Sequence, residues 1–415
     1  MIPSPYMNDD VHSFAYDTAR VRWPKILVQC IDDLSLLPPG SDVQWFTGKF
    51  KELLSAIDED KEVQPFTDDE IKLNPSLKAY NDQLTKGMTW KTGPWLYLEC
   101  YLYQHINNFF ISKSIDIDIF QNLKQSTLIS SKLGIIELCK KINEFDFGSI
   151  KDEDKLIFFK EFIDISLWGN STDLSLLAGN VTLEDIKSIQ GAETRKANEK
   201  NILVNGTNDI FDHLSKAESP VVDIVLDNSG FEVFSDIVLA IYLVETKLAE
   251  KVTFHCKKIP WFVSDTLEKD FDELFKELIA FDNQDTAKFV DTVKSYIKQK
   301  KFIVTSDDYW TSCSPYWTLP ENSIYDQLKD STLVIFKGDL NYRKLTGDVQ
   351  WDKTTPFETA LQHLKGKINV VSLRTCKADV TVGLPQGVDE KLKAEHGEFW
   401  SSSGKYAVIS FTAKD

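Results

Sequence analysis

The chain has 415 residues, 64 of them acidic and 47 basic, for a formal net charge of −17, with 42% hydrophobic and 27% charged residues. That length exceeds what a single core usually fills, so two domains or one elaborated domain are expected; the acidic balance argues against nucleic acid as a main partner, because a duplex binder carries a basic surplus. No apolar run approaches the ~18–20 residues that cross a bilayer, the opening MIPSPYMNDDVHSF lacks the basic and apolar segments of a secretory signal, and six scattered cysteines without a C-x-x-C pair fit free thiols of a reducing compartment, so no membrane partner and a cytoplasmic location are expected, with nuclear presence open.

From the start to about residue 165 the patterns are helical, with no convincing strand. Lys25–Leu37 and Lys49–Asp58 carry apolar residues at helical spacing. Pro94–Ser112 opens on a proline suited to a first helical position and is apolar nearly all round, which predicts a buried helix. Ile119–Phe145 and Asp154–Leu167 continue the theme. The aromatic crowding, with His105 among it, reads as core packing. Near Leu167 the character changes. Leu167 to Ser175 is rich in turn residues, Thr182 is placed to cap a helix, and Ile202–Val204 is a weak strand followed by a helix over Asp209–Lys216.

From Val221 onward strands and helices alternate. Val221–Leu226 is a short, β-branched apolar run ending in Asp227-Asn228-Ser229-Gly230, and Phe231–Leu248 is a long helix. Asp-Asn-Ser-Gly is also ordinary turn chemistry, so this stretch alone decides nothing. The pattern recurs, however. Lys251–His255 is a strand leading through Ile259–Asp265 into a helix that ends near Phe281, and Asp285–Gln299 is another helix. Phe302–Thr305, Thr332–Phe336 and Asn369–Leu373 are strands, and Tyr406–Phe411 closes the sheet. The expected fold class is α/β: a Rossmann-like three-layer α/β/α domain with a mostly parallel sheet, over 166–415, joined to an all-helical N-terminal domain over 1–165.

A parallel sheet brings its strand ends to one rim, where ligands bind. That rim would hold Asp227 and Asn228 after one strand, Asp265 past another, Lys337, Asp339, Asn341 and Arg343 after a third, and Arg374 and Lys377 after a fourth. Two carboxylates and an amide suit a hard divalent ion such as magnesium or manganese. The cations suit a phosphoryl group, and a metal with a cationic clamp is what phosphoryl transfer requires. Only five arginines occur among the 47 basic residues, and residues 331–377 hold eight basic against four acidic residues, a local reversal that marks a candidate anion site. Each residue also has a plainer reading. Asp265 would serve equally as a helix cap, Arg343, Lys344 and Lys377 as solvated charges, and Cys376 as a packing residue. No P-loop, dinucleotide fingerprint, G-x-S-x-G elbow or D-x-D nucleophile spacing is present.

Asp227-Asn228-Ser229-Gly230-Phe231-Glu232, the phrase Phe336-Lys337-Gly338-Asp339-Leu340-Asn341-Tyr342-Arg343-Lys344-Leu345-Thr346-Gly347-Asp348, and Arg374-Thr375-Cys376-Lys377 together resemble the metal-dependent damage-control phosphatase family. The subfamily is the one marked by an R-T-x-K motif, which includes a protein also described as an acidic residue methyltransferase. The resemblance extends over nearly the whole chain, including Ser166–Asn170 and Ile259–Asp265. It implies a divalent metal (manganese, cobalt, nickel or magnesium) held by Asp227, Asn228 and Asp265. It also implies contacts to phosphate and sugar from Asp339, Leu340, Asn341, Tyr342, Arg343 and Lys377, and hydrolysis of small phosphometabolites of the fructose 1-phosphate and fructose 6-phosphate class. On this expectation a metal-activated water attacks with Asp265 as base, while Lys377, Arg343 and Lys337 neutralise the phosphoryl oxygens. Asp339 and Asn341 orient sugar hydroxyls, and Glu232 faces the site from the central helix. Two rivals remain at this stage: an S-adenosylmethionine-dependent carboxyl methyltransferase and a non-catalytic sugar-phosphate sensor. The oligomeric state is open.

Overall fold

The computed structural model describes residues 1–169 and 199–415. The turn-rich link from Asn170 to Ser175, the helix start at Thr182 and Arg195 lie outside the described residues.

The first part is helical: α1 Trp23–Asp32, α2 Val43–Asp58, α3 Trp95–Ile111, α4 Gln121–Ser130, α5 Lys132–Glu144 and α6 Lys155–Leu167, with no strand before Ile202 among the described residues. The α3 helix begins one residue later than expected. Pro94 has an extended ψ of 129° and caps the helix from outside, while the Trp95 N–H goes to the Tyr6 carbonyl at 2.9 Å. The segment expected as one helix from Ile119 to Phe145 is broken at Ser131, whose backbone (φ −92°, ψ 2°) leaves the helical region and lets α5 turn against the second half of the molecule. All six cysteines are free and buried, and no helix among the described residues is long and apolar enough to cross a membrane.

The second part is a seven-stranded sheet: β1 Ile202–Asn205, β2 Val221–Val225, β3 Lys251–Cys256, β4 Phe302–Ser306, β5 Leu333–Lys337, β6 Val370–Thr375 and β7 Ala407–Thr412. Its spatial order is β1-β7-β6-β5-β2-β3-β4. Every pairing is parallel except β6 with β7. The strand expected to close the sheet therefore lies inside it, between β1 and β6. β7 is apolar on both faces, with Ala407, Val408 and Ile409 fully buried, and this is the signature of an interior strand. Long helices join the strands: α7 Thr207–Ser215, α8 Phe231–Glu245, α9 Glu268–Ala280, α10 Gln284–Lys298 and α11 Gly338–Thr346. From β2 the chain runs outward through β3 to β4, then returns to place β5 on the other side of β2. The carboxyl ends of β2 and β5 thus flank the point where the winding reverses, which is where open α/β sheets hold ligands.

Alternation along the strands sorts side chains into two layers. Val222, Ile224, Leu333, Ile335, Val371 and Ile409 share a core with α5, α6 and α8. Val225, Val334, Phe336, Val370 and Val408 face the opposite core, with Tyr316, Tyr342 and Trp400. The α8 helix is buried from Phe231 to Val244, and Tyr242 stacks on Phe162 of α6 with ring centres 4.4 Å apart. A third core belongs to the helices between Ala15 and Phe120, and it also takes in Trp261, Leu340 and Ala378 from beyond β3, β5 and β6. The early helices therefore sit over the carboxyl rim of the sheet.

α11 is the fastening between the two parts. Its Arg343 lies over the Trp95 ring at 3.7 Å, donates to Glu99 of α3 at 2.8 Å, and grips Asp348 with two bonds of 3.1 and 2.9 Å. Burial alone would disfavour the guanidinium, yet the two carboxylates hold it firmly charged. Removing the cation strands Glu99 and Asp348 in a dry interface. Arg343→Met is expected to lower unfolding stability by about 3–5 kcal/mol, read as a shift of the urea midpoint. An unchanged midpoint would show that the triad is not holding the halves together.

Candidate active site at the sheet switch point

Asp227 and Asn228 leave the carboxyl end of β2, and Gly230 (φ +73°) turns the chain into α8. The loop after β3 folds back onto them. Thr266 N–H donates to the Asp227 carbonyl at 2.7 Å, Ser229 N–H donates to the Ser264 carbonyl at 2.8 Å, and Asn228 and Asp265 form an isolated antiparallel bridge. Just before Asp265, Phe262 and Val263 adopt positive φ of 43° and 71°, a conformation that costs a bulky residue energy and is kept where the surroundings enforce it. Stacking of Phe262 on Tyr103 of α3, at 4.8 Å, supplies part of that enforcement. From the other side, Gly338 opens α11 at φ +76°, and a Cβ there would stand 1.9 Å from Asp227 Oδ2, so only glycine lets β5 end against this carboxylate.

The expected site residues fall into two groups. Asp227, Asn228, Glu232 and Asp265 come together. The Asn228 amide donates to Asp227 Oδ2 at 2.7 Å and to Glu232 Oε2 at 2.8 Å, while its oxygen accepts from the Ser264 hydroxyl. The Asp265 carboxylate, 2% exposed, ion-pairs through Oδ2 with Lys257 Nζ at 3.2 Å. It is not the cap of α9. That place is taken by Asp270, whose Oδ2 accepts from the Leu267 N–H at 2.8 Å. Lys377 is half-buried beyond β6. Its N–H donates to Asp339 Oδ1 at 2.9 Å, and its ammonium has no hydrogen-bond or ion-pair partner among the described residues.

The remaining residues are held by the protein itself. Lys337 Nζ is 2.9 Å from Asp236 Oδ1, donates to the Ser166 hydroxyl at 2.9 Å, and lies 3.7 Å from Glu232 Oε1. Arg374 bonds to Asp339 Oδ1 at 2.8 Å and to the carbonyls of Ala378 and Val380, and lies 4.2 Å over the Tyr342 ring. Asn341 donates to the carbonyls of Lys337, Val225 and Leu226 and accepts from Tyr316 at 2.7 Å, sewing α11 to the end of β2. The Tyr342 hydroxyl accepts from Val382 N–H at 2.9 Å, and Leu340 is seated in the core under the early helices. Arg343 is taken by Glu99 and Asp348, and Lys344 by the carbonyls of Ser312 and Ser314, so neither is a solvated charge. Cys376 is buried, and burial raises its thiol above the ordinary range, which suits packing.

Two lysines that sequence reasoning passed over complete the arrangement. Lys257, directly after β3, donates to the Leu226 carbonyl at 2.6 Å and pairs with Asp265. Lys124 of α4 donates to the Asp265 carbonyl at 2.8 Å and is clamped by Asp118 and Asp270. The first was visible as a charge at a strand end, like the others. The second was not, because nothing in α4 announces which loop it meets.

Burial pushes the Asp227 carboxyl well above its usual range, Glu232 and Asp265 push it further, and Lys257 and Lys377 oppose them. Burial raises Asp265 to about 6 against the pull of Lys257 and Lys124. Around Asp227 three carboxyl groups, Asp227, Glu232 and Asp265, thus meet two lysines, Lys257 and Lys377. That is the environment a divalent cation relieves. No cluster of three or more His, Cys, Asp or Glu side chains is placed to hold a metal among the described residues. The donor set is instead two carboxylates and an amide, which fits a hard ion that keeps several positions for water and ligand.

A family model described as the damage-control phosphatase ARMT1-like domain matches residues 18–392. The protein named damage-control phosphatase ARMT1 of Xenopus laevis is 35% identical over 431 residues, covering 96% of each chain, and that of Homo sapiens is 34% identical over 446 residues, covering 99% of each. A solved DUF89 family protein from Pyrococcus horikoshii covers 94% of this chain at 13% identity with a TM-score of 0.41, too distant to bear on the fold. The chain belongs to the damage-control phosphatase ARMT1-like family.

Proposed function

We propose that this chain is a metal-dependent phosphomonoester hydrolase acting on small phosphorylated metabolites, with fructose 1-phosphate and fructose 6-phosphate as its substrate class. The observation that carries the reading is the group Asp227–Asn228–Asp265 at the switch point, its two carboxylates buried beside Glu232, with the ammonium of Lys377, unpartnered among the described residues, near enough to act on Asp227. When bound by these three residues, manganese, cobalt, nickel or magnesium supplies Lewis-acid polarisation of a phosphoryl oxygen and a water of lowered pKa.

The chain's own groups do the rest. Lys377 neutralises charge on the phosphoryl oxygens, since among the described residues its backbone N–H is engaged by Asp339 but its ammonium has no partner. Asp265, oriented by Lys257 and by the strained Phe262–Val263 turn, accepts the proton of the attacking water. Asp339 Oδ1 is occupied by Arg374 and the Lys377 N–H, while Oδ2 has no partner among the described residues and orients a sugar hydroxyl. Glu232 holds the Asn228 amide in place. Lys337, Arg343, Arg374, Asn341 and Tyr342 act from behind: they fix the helix and loops that present the reacting groups.

Phosphate release from a panel of sugar phosphates, by metal-stripped protein supplied with each of the four metals, tests this directly. Release is expected only with metal, and is expected to fall at least about 100-fold in Asp227→Ala and in Asp265→Ala and by about 10²–10³ in Lys377→Ala. Full turnover in Asp227→Ala at saturating metal would overturn the site. Binding of sugar phosphate without any release would favour a sensor, and methyl transfer from labelled S-adenosylmethionine that survives both aspartate variants would favour the methyltransferase.

Gly338→Ala probes the close approach independently. The left-handed backbone and the clash with Asp227 are expected to cost about 2–4 kcal/mol and to lower turnover in the fraction that remains folded. An unshifted urea midpoint with full activity would mean that β5 and Asp227 can separate without consequence.

A further inference from the structure

The early helices form a solvent-open cavity of about 870 Å³ that shares no lining residue with the Asp227–Asp265 site and is within the size range of sites for small organic ligands. One wall is a run of rings in edge or tilted contact. Trp45 lies 6.4 Å from Phe109, Phe109 lies 6.3 Å from His105, and His105 lies 6.1 Å from Trp90. Such a wall favours a flat aromatic guest.

The charged residues around the cavity are already engaged. Lys49 pairs with Glu52 at 2.8 Å and Lys61 with Glu59 at 3.0 Å. Glu62 accepts the Gly87 N–H at 2.7 Å, and Glu70 accepts the Asn108 amide at 2.7 Å and the Thr67 N–H at 2.7 Å. Both lysines of the lining are paired while Glu62 and Glu70 keep their negative charge, so an anionic ligand such as a phosphorylated metabolite does not suit this cavity. His105 is different. It is half-buried, and its ring nitrogens have no hydrogen-bond partner among the described residues and are not sealed away. Burial lowers its pKa to about 4, with Glu70 opposing, so at neutral pH it offers one N–H donor and one acceptor.

We propose that this cavity binds an uncharged, flat aromatic ligand carrying an N–H or O–H group, which lies against the ring wall and hydrogen-bonds to His105. The site is separate from the phosphatase reading and does not depend on it.

The probe is indole, with N-methylindole as the analogue that cannot donate, titrated against the full chain by calorimetry. Indole is expected to bind saturably at one site, and N-methylindole about 3–10 times more weakly, the loss that one hydrogen bond represents. His105→Phe keeps the ring wall but removes the polar handle, and is expected to bind both probes alike. Trp45 is half-buried at the edge of the helical core, so Trp45→Ala thins the wall and is expected to weaken both probes at least about threefold, with far-ultraviolet circular dichroism showing that the helices are kept. Equal affinity of the wild type for the two probes, no saturable binding up to about millimolar indole, or an indole preference surviving in His105→Phe would each overturn the proposal.

Discussion

A charge taken out of water must be matched, and the carboxyl rim of this sheet is arranged around that requirement. Lys337 has Asp236 and Ser166, Arg374 has Asp339, Arg343 has Glu99 and Asp348, and Lys124 has Asp118 and Asp270. Each of these pairs is buried, so each holds its neighbours in a single arrangement and would be costly to break. Against that background two groups stand out. Asp227 is crowded by burial and by the like charge of Glu232 and Asp265, and the Lys377 ammonium is unpartnered among the described residues. The balance left open at the switch point is what a cation and a phosphoryl group together would close.

The scarce arginines show why residue type alone misassigns roles. A guanidinium fork suits a phosphate, but it suits a carboxylate equally well, and a chain with 64 acidic residues offers many carboxylates. In α11 and β6 the forks of Arg343 and Arg374 are spent on Glu99, Asp348 and Asp339. The K-G-D-L-N-Y-R-K phrase is therefore largely a fastening. Leu340 and Arg343 seat the early helices on α11, Asn341 ties α11 to the last turn of β2, and Gly338 permits the contact with Asp227. Among the described residues of the rim, Lys377 is a cation whose ammonium is not spent on a carboxylate, a point charge on a flexible stem rather than a planar fork.

The early helices are more than a cover. Their core takes in Trp261, on the loop that carries Asp265, and Leu340 of α11, the helix whose first residue abuts Asp227, and Tyr103 stacks on Phe262 within the strained turn. The strain is affordable in that turn because side chains from α3 occupy the space into which it would relax. The same α3 carries Glu99 toward α11 and His105 toward the aromatic cavity.

Periodicity and punctuation in the sequence were enough to read the helical first part, the alternation of strands and helices after Val221, and the collection of Asp227, Asn228, Asp265 and Lys377 at one rim. These depend on local properties: side-chain spacing, turn chemistry and the rule that parallel strands end together. Tertiary structure alone decided the rest. It placed β7 between β1 and β6, since apolar character marks a strand as interior without naming the neighbours it pairs with. It also separated the charges that are spent internally from the ones left free, because pairing across 244 positions, as between Glu99 and Arg343, leaves no trace in local pattern. Lys124 reached Asp265 from 141 positions away for the same reason. A sequence names the charges a chain carries, but only the folded distances determine which of them remain to act on something else.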